Sequence, residues 1–267
     1  MSDEAVLLDV TDGIATITLN QPERMNALSD AIKAGIRESL TEIESRDDTR
    51  CVVIEGSGRA FSAGGDVKSQ KDRLEDDGGM TDHDRAQRME RDVESISIRL
   101  FNFPLPTIAK VDGYCVGAGM GLAFACDVQL ASADSGFGLV FRNVGLTLDF
   151  ATSYLLPRIV GTNTAKELAL TGEIIDGERA AEIGLVNHVY PSDEFEAKAT
   201  EFIEQIGSGQ TVALHYSTRN IDRGIDTTIR EAVELEASAQ NIARRTHDHE
   251  EGVTAFAEDR DPEFIGE

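Results

Sequence analysis

Residues Thr107–Ala131 read TIAKVDGYCVGAGMGLAFACDVQLA, and this stretch decides the fold. Its pattern predicts a buried strand at Thr107–Val111, then a Gly-rich turn that opens an apolar helix at Gly117–Ala125, and then a second buried strand at Val128–Ala131. Such a turn places free main-chain N–H groups at the positive end of a helix, where negative charge is stabilised. The alternative is a tightly packed helix whose glycines serve contacts alone, so the stretch indicates a site only in combination with a second motif.

That second motif lies upstream, at Gly56–Asp66 (GSGRAFSAGGD), and it also follows a predicted buried strand, Cys51–Glu55. Further upstream, Asp12-Gly13 between two apolar runs predicts a β-hairpin, and Ser29 predicts the start of an amphipathic helix. From Asp193 onward the pattern is helical to the end of the chain. Strands with crossover helices followed by helices alone predict an α/β fold.

The charge balance excludes two classes of partner. Asp and Glu number 49 against 25 Lys and Arg, which gives a net charge of −24. A surface this acidic repels nucleic acid and anionic membranes, so we expect neither as a partner. The acidic residues are spread along the helices rather than gathered in one tail, and we hypothesise a halophilic source, because salt screens such self-repulsion.

Apolar runs, the N-terminus and the cysteines indicate the cellular compartment of the protein and whether it binds a metal. No apolar run is long enough to span a bilayer, and the acidic N-terminus is unlike a signal peptide. Three cysteines, Cys51, Cys115 and Cys126, stand in apolar contexts without metal-ligand spacing. We therefore expect a cytoplasmic protein with reduced cysteines in its core and no metal site.

Taken together, the two Gly-rich motifs resemble the enoyl-CoA hydratase/isomerase (crotonase) superfamily, and the resemblance extends over nearly the whole chain. Leu19–Leu28 is similar to the first CoA-binding loop of that family, and Glu251–Phe264 is similar to its C-terminal helix. The resemblance implies a ClpP-like spiral of β-β-α repeats with the CoA and acyl pocket in residues 1–195. It also implies a helical oligomerisation region in residues 196–267, which would form a homotrimer or a hexamer built as a dimer of trimers.

The resemblance further implies an acyl-CoA thioester as the substrate, with no permanently bound cofactor. The main-chain N–H groups of Gly65 and Ala118 would form an oxyanion hole around the thioester carbonyl. Preorganised donors are needed there because the α-proton is acidic only when the enolate oxygen is stabilised. The CoA path would include Arg24, Ala27, Ala63, Asp66, Val67 and Lys68, and the substrate pocket would include Gly121, Phe141 and Leu146. For Arg24, a solvated loop arginine is the alternative.

Two positions depart from the hydratases of this family. Those enzymes carry two glutamates that hold water and move protons. The matching positions in this chain are Gly121 and Phe141. Because neither side chain can relay a proton, ordinary two-glutamate hydration is not expected.

Asp149 is the candidate catalytic residue, since its position matches the aspartate that some family isomerases use as their sole base. One carboxylate can take a proton from C2 and return it at C4, which converts a 3-enoyl-CoA to a 2-enoyl-CoA. The apolar neighbours Leu146, Leu148 and Phe150 predict a raised pKa for this carboxyl. The alternative role is that of an N-terminal capping aspartate for the following helix.

The sequence therefore predicts an enzyme of fatty-acid or aromatic-acid degradation, with enoyl-CoA isomerase as the first interpretation. The second is an enoyl-CoA hydratase with non-standard acid residues. A third is an aryl-CoA dehalogenase-like enzyme in which Asp149 attacks the ring and His83 serves as the base. A non-catalytic acyl-CoA-binding protein is the interpretation from another class, although retention of both oxyanion turns argues against it.

Overall fold

The computed structural model describes residues 4–67 and 79–267 of the chain, and within them the strands form two sheets. The six-stranded sheet contains, in spatial order, β1 (Val6–Thr11), β2 (Ile14–Leu19), β3 (Cys51–Gly56), β5 (Thr107–Val111), β7 (Val128–Ser132) and β10 (His188–Tyr190). The four-stranded sheet contains β4 (Ala60–Ser62), β6 (Tyr114–Val116), β8 (Gly136–Gly138) and β9 (Ile174–Asp176).

From β3 to β8, successive strands alternate between the two sheets, so each repeat contributes one strand to each. The pairs within this run are parallel, as crossover connections require. This arrangement confirms the predicted α/β spiral. The antiparallel exception at the N-terminus is the β1–β2 hairpin, where Asp12 (φ 52°) and Gly13 (φ 78°) both adopt the left-handed conformation that tight hairpin turns need.

The described α-helices of six residues or more connect strands of the spiral and then complete the chain. They are α1 (Asp30–Glu44), α2 (Asp82–Val93), α3 (Ala118–Phe124), α4 (Thr152–Thr171), α5 (Gly177–Glu182), α6 (Phe195–Gly207), α7 (Thr211–Gly224), α8 (Ile229–Ala243) and α9 (His247–Glu258). The predicted start of α1 is confirmed, because the Ser29 side chain accepts a hydrogen bond from the N–H of Ile32. Gly161 interrupts α4, since its φ of 76° is not helical.

The core covers both faces of the larger sheet. Val52 and Ile54 belong to the main cluster with α1 and α3, whereas Cys51 and Val53 pack with α6 on the opposite face. Successive strand side chains point to opposite faces, which is why a continuous apolar strand is stable here. All three cysteines are buried and free.

In residues 4–67 and 79–267, no helix is both long and apolar enough to cross a membrane. In the same ranges, His, Cys, Asp and Glu side chains form no group that could hold a metal ion.

Candidate active site

The two Gly-rich turns identified in the sequence meet directly, main chain against main chain. Gly64 adopts a φ of 82°, and a Cβ on it would lie 2.6 Å from the carbonyl oxygen of Val116 and 3.0 Å from the nitrogen of Ala118. Any side chain at position 64 would therefore push the turns apart, and only glycine adopts this conformation without strain.

Each turn presents an N–H group that the protein itself does not use. Within the described part of the chain, the main-chain N–H groups of Gly65 and Ala118 make no intramolecular hydrogen bond. Ala118 is the first residue of α3, where an N–H has no acceptor in its own helix and meets the positive end of the helix dipole. Gly65 forms an isolated bridge with Leu28, whose N–H donates to the Gly64 carbonyl at 2.7 Å.

Asn26 anchors the first of these turns, and the sequence analysis did not single it out. Its fully buried side chain accepts from the N–H of Gln21 at 2.9 Å. It donates to the carbonyl oxygens of Ser57 at 2.9 Å and Ala60 at 2.7 Å. Its own carbonyl accepts from the Ser62 hydroxyl at 2.8 Å. One asparagine thus joins three segments, and its φ of 52° is one that Asn tolerates better than most residues.

The residues predicted for the CoA path cluster around this anchor. Arg24 and Asp66, predicted as separate contacts, form an ion pair with 2.6 Å between Nη2 and Oδ2. The N–H of Ala63 donates to the carbonyl of Met25 at 2.8 Å, which ties the two loops together again. The other members are Ala27, which is buried, Val67, which is exposed, and Lys68, which lies outside the described residues.

Asp149 lies in a turn with unusual backbone geometry. The next two residues, Phe150 (φ 48°) and Ala151 (φ 63°), both have left-handed conformations, which non-glycine residues seldom adopt. The Asp149 carbonyl accepts from the N–H of Thr152 at 3.0 Å and from its hydroxyl at 2.6 Å. The N-cap of α4 is Ala151, and no side chain caps the helix. The Asp149 carboxyl therefore does not perform the alternative capping role.

The Asp149 side chain is partly exposed, but one of its two carboxyl oxygens is buried. Its Oδ1 atom is buried and has no hydrogen-bond partner among residues 4–67 and 79–267. Burial raises the pKa of Asp149 from its ordinary value of 3.8 to about 6, and the positive charge of Lys33 on α1 opposes this only in part. Desolvation disfavours the charged form, so the predicted direction of the pKa is confirmed. A carboxyl with such a pKa can both accept and return a proton near neutral pH.

The two positions occupied by glutamate in family hydratases border these turns. Gly121 is buried in α3, and a Cβ on it would lie 2.2 Å from the carbonyl oxygen of Phe150. Phe141 is buried, and its Cζ lies 3.9 Å from the place a Cβ of Gly117 would occupy. Leu146, by contrast, is 49% exposed. Neither Gly121 nor Phe141 opens onto the site with a group that can carry a proton.

His83, the proposed base of the dehalogenase interpretation, is exposed on α2. A cavity of about 670 Å³ lies elsewhere, between α7 and the segment Phe101–Pro104. Its lining includes Asp127, His215 and Asp222 but none of the residues placed around Asp149. Burial and the nearby charge of Asp127 raise the pKa of Asp222 to about 6.

Comparison with known proteins shows which family and fold the chain resembles. The family model described as enoyl-CoA hydratase/isomerase matches residues 9–267. The chain is 34% identical to the 1,2-epoxyphenylacetyl-CoA isomerase of Escherichia coli, over 98% of this chain and 99% of the relative. It is 30% identical to the crotonyl-CoA hydratase of Syntrophomonas wolfei, over 99% of each chain. The crystal structure of an enoyl-CoA hydratase from Bacillus anthracis superposes with a TM-score of 0.87 at 31% identity, covering 98% of this chain and 100% of that one.

Proposed function

The chain belongs to the enoyl-CoA hydratase/isomerase family, and on that premise we propose that it is an enoyl-CoA isomerase in which Asp149 is the acid/base. The observation that carries this proposal is the carboxyl itself, whose Oδ1 atom is buried without a hydrogen-bond partner in the described part of the chain. A buried carboxyl oxygen without a partner is costly, and proton transfer is a use that accounts for it.

The proposed reaction needs two parts of the site. The N–H groups of Gly65 and Ala118 hold the thioester oxygen, so that removal of a proton from C2 of a 3-enoyl-CoA leaves a stabilised dienolate. The Asp149 carboxylate takes that proton and becomes the neutral acid. It then returns the proton at C4, the double bond moves to C2–C3, and the carboxylate is regenerated. No water or cofactor takes part in this balance.

The geometry supports this division of roles. Gly121 lies three residues after Ala118, which is about 4.5 Å along the axis of α3. Its missing side chain faces the Phe150 carbonyl, so the turn that carries Asp149 lies against the first turn of the helix that begins at Ala118. A proton acceptor beside the oxyanion donors is the arrangement that enolate chemistry requires.

We further propose that the acyl-CoA runs along the predicted path. Arg24 supplies the positive charge for a CoA phosphate, and its ion pair with Asp66 keeps the guanidinium positioned at the junction of the two loops. Ala27, Ala63 and Val67 belong to the same path, together with Lys68. The acyl chain passes Phe141 and Leu146.

Hydration is the second candidate, because relatives such as the crotonyl-CoA hydratase are named for it. It would need an acid pair other than the two family glutamates, whose positions are Gly121 and Phe141 here. One experiment distinguishes isomerisation from hydration.

Wild-type protein and Asp149→Asn are each incubated with 3-hexenoyl-CoA and with crotonyl-CoA, and product is followed by chromatography. We expect isomerisation by the wild type, little hydration, and a loss of at least ~100-fold in the variant, which is the low end for a missing general acid/base. Asp48→Asn, at an exposed loop position, is the matched control and should keep wild-type rates. Crotonyl-CoA hydration that survives Asp149→Asn would contradict the proposal and point to another acid pair.

We also propose that residues 196–267 form an oligomerisation region and that the chain assembles as a trimer or a dimer of trimers. Large apolar side chains support this, since Ile229 of α8 is 85% exposed and Phe256 of α9 is 89% exposed. Apolar surface of this size on a helical layer is stabilised by contact with another copy. Light scattering measures the mass directly.

A further inference from the structure

The contact between α3 and the turn that carries Asp149 is unusually close. A Cβ built on Gly121 would lie 2.2 Å from the carbonyl oxygen, 2.7 Å from Cβ and 3.0 Å from the carbonyl carbon of Phe150. Two of these three atoms belong to the main chain, so they cannot swing aside as the end of a flexible side chain can. Residue 121 therefore has room for a hydrogen atom and for nothing larger.

Neither partner in this contact can retreat. On its other side, α3 is pressed against β4, where a Cβ on Gly119 would lie 2.7 Å from the carbonyl oxygen of Ser62. On the side of the turn, Phe150 is buried and Thr152 is fully buried with its hydroxyl bonded to the Asp149 carbonyl. A side chain at position 121 would thus displace the turn rather than be absorbed by slack in the packing.

The backbone of the turn is strained, so we expect it to change conformation more readily than α3. Phe150 and Ala151 both hold left-handed conformations. Each such residue costs on the order of 1–3 kcal/mol and persists only while its surroundings impose it. When a side chain at position 121 displaces the turn from α3, these two residues relax and the adjacent carboxyl of Asp149 moves with them.

We propose that Gly121 is a positioning residue for Asp149. Because Gly121 has no side chain, the strained turn that holds the carboxyl can pack closely against α3. A side chain at position 121 and the present position of Asp149 therefore exclude each other. This inference rests on the proposed role of Asp149 and adds a consequence to it. Replacing Gly121 with glutamate cannot convert the site to one with two glutamates, because the Cβ of the glutamate would overlap with the carbonyl oxygen of Phe150.

The test compares wild type with Gly121→Ala, and uses Gly224→Ala as the matched control. A Cβ at Gly224 in α7 would meet nothing within 4 Å. Three quantities are measured: the titration midpoint of the Asp149 carboxyl by ¹³C NMR, hydrogen exchange of the Thr152 amide, and kcat and KM for 3-hexenoyl-CoA. The Asp149 signal is assigned by its absence from Asp149→Asn.

In Gly121→Ala we expect the midpoint to fall from about 6 toward 3.8, because the released carboxyl is hydrated. The Thr152 amide should exchange faster while the amides of β5 stay protected. We expect kcat to fall by about 100-fold, the effect of misplacing a catalytic group by roughly 1 Å, with little change in KM. Gly224→Ala should match wild type in all three quantities.

A wild-type midpoint and wild-type exchange at Thr152 in Gly121→Ala would overturn the inference even if wild type is an active isomerase. Conversely, if the wild type fails to isomerise 3-hexenoyl-CoA while Gly121→Ala still shifts the titration midpoint of Asp149, that result would contradict the proposed function and support the positioning role.

If Gly121→Ala exchanges its β5 amides rapidly and so has not folded, Ala151→Pro replaces it. Proline fixes φ near −65°, against 63° in the turn, without altering α3. Its matched variant Ala151→Gly permits the native φ and should keep the wild-type midpoint. An unshifted midpoint in Ala151→Pro would likewise overturn the inference.

Discussion

Replacing Asp149 with asparagine should stabilise the fold at neutral pH while abolishing activity. Burial raises the pKa of Asp149 from 3.8 to about 6 in the folded chain. A carboxyl whose pKa is raised in the folded state makes its full contribution to the free energy of unfolding below pH 3.8. It loses that contribution as the pH rises through about 6, because the folded chain must then hold a buried negative charge. Asparagine has a similar shape and never carries the charge.

The size of the effect follows from the two pKa values. A change from 3.8 to about 6 corresponds to roughly 3 kcal/mol when titration is complete in both states. Between pH 4.5 and pH 7.5, where part of that titration lies outside the window, about 2 kcal/mol remains. The advantage of Asp149→Asn over wild type should therefore grow by about 2 kcal/mol across this range.

Urea unfolding at pH 4.5 and 7.5 measures this, with protein concentration held fixed because assembly contributes to apparent stability. The comparison between variants cancels groups present in both, including Asp222, whose pKa is also raised to about 6. Asp48→Asn is the control that should not change with pH, since the hydrogen bond from Arg46 lowers the pKa of Asp48 and its titration lies below this pH range. A difference between wild type and Asp149→Asn that stays constant with pH would refute the reasoning, because the carboxyl would then be hydrated.

Two further substitutions address the loops around the site. Asn26→Ala leaves the N–H of Gln21 and the carbonyls of Ser57 and Ala60 without their partner, and we expect a loss of about 3 kcal/mol in urea unfolding. An unchanged midpoint would mean that water replaces the amide there. Arg24→Met should raise KM for acyl-CoA about tenfold at constant kcat, because it removes a cation from the phosphate path. An unchanged KM would assign Arg24 to its ion pair with Asp66 alone.

Local signals explain which parts of the fold could be predicted. The strand Thr107–Val111 and the helix start at Ser29 were predicted correctly, because apolar periodicity and capping depend on neighbours in sequence. The segment Val93–Phe103 has the apolar spacing of an amphipathic helix, but this spacing does not reveal the type of helix. Glu94–Ile98 forms a wider π-helical turn before a short helix at Arg99–Phe101, since packing rather than apolar spacing decides the helix type.

The candidate site divides in a similar way. Asp149 and the two Gly-rich turns could be proposed as site residues from sequence, because each stands in a motif that resembles the family, and their catalytic role stays a prediction. The role of Asn26 could not, since nothing local marks an asparagine whose partners lie more than thirty residues away. The left-handed conformations of Phe150 and Ala151 were equally invisible, because phenylalanine and alanine have no preference for them. The contact of Gly121 with this turn is set by tertiary structure alone.

The meeting of Gly64 with the Val116–Ala118 backbone has an evolutionary consequence. Because the two turns touch through main-chain atoms, and the side chain that anchors the first of them, Asn26, is fully buried, the spacing between their N–H groups does not depend on exposed side chains. Exposed positions nearby, such as Val67 and Leu146, can therefore mutate freely without disturbing that spacing. If the proposed function holds, acyl specificity can change while the spacing that stabilises the enolate is kept, and we expect a mutant library built on these outer positions to retain isomerase activity.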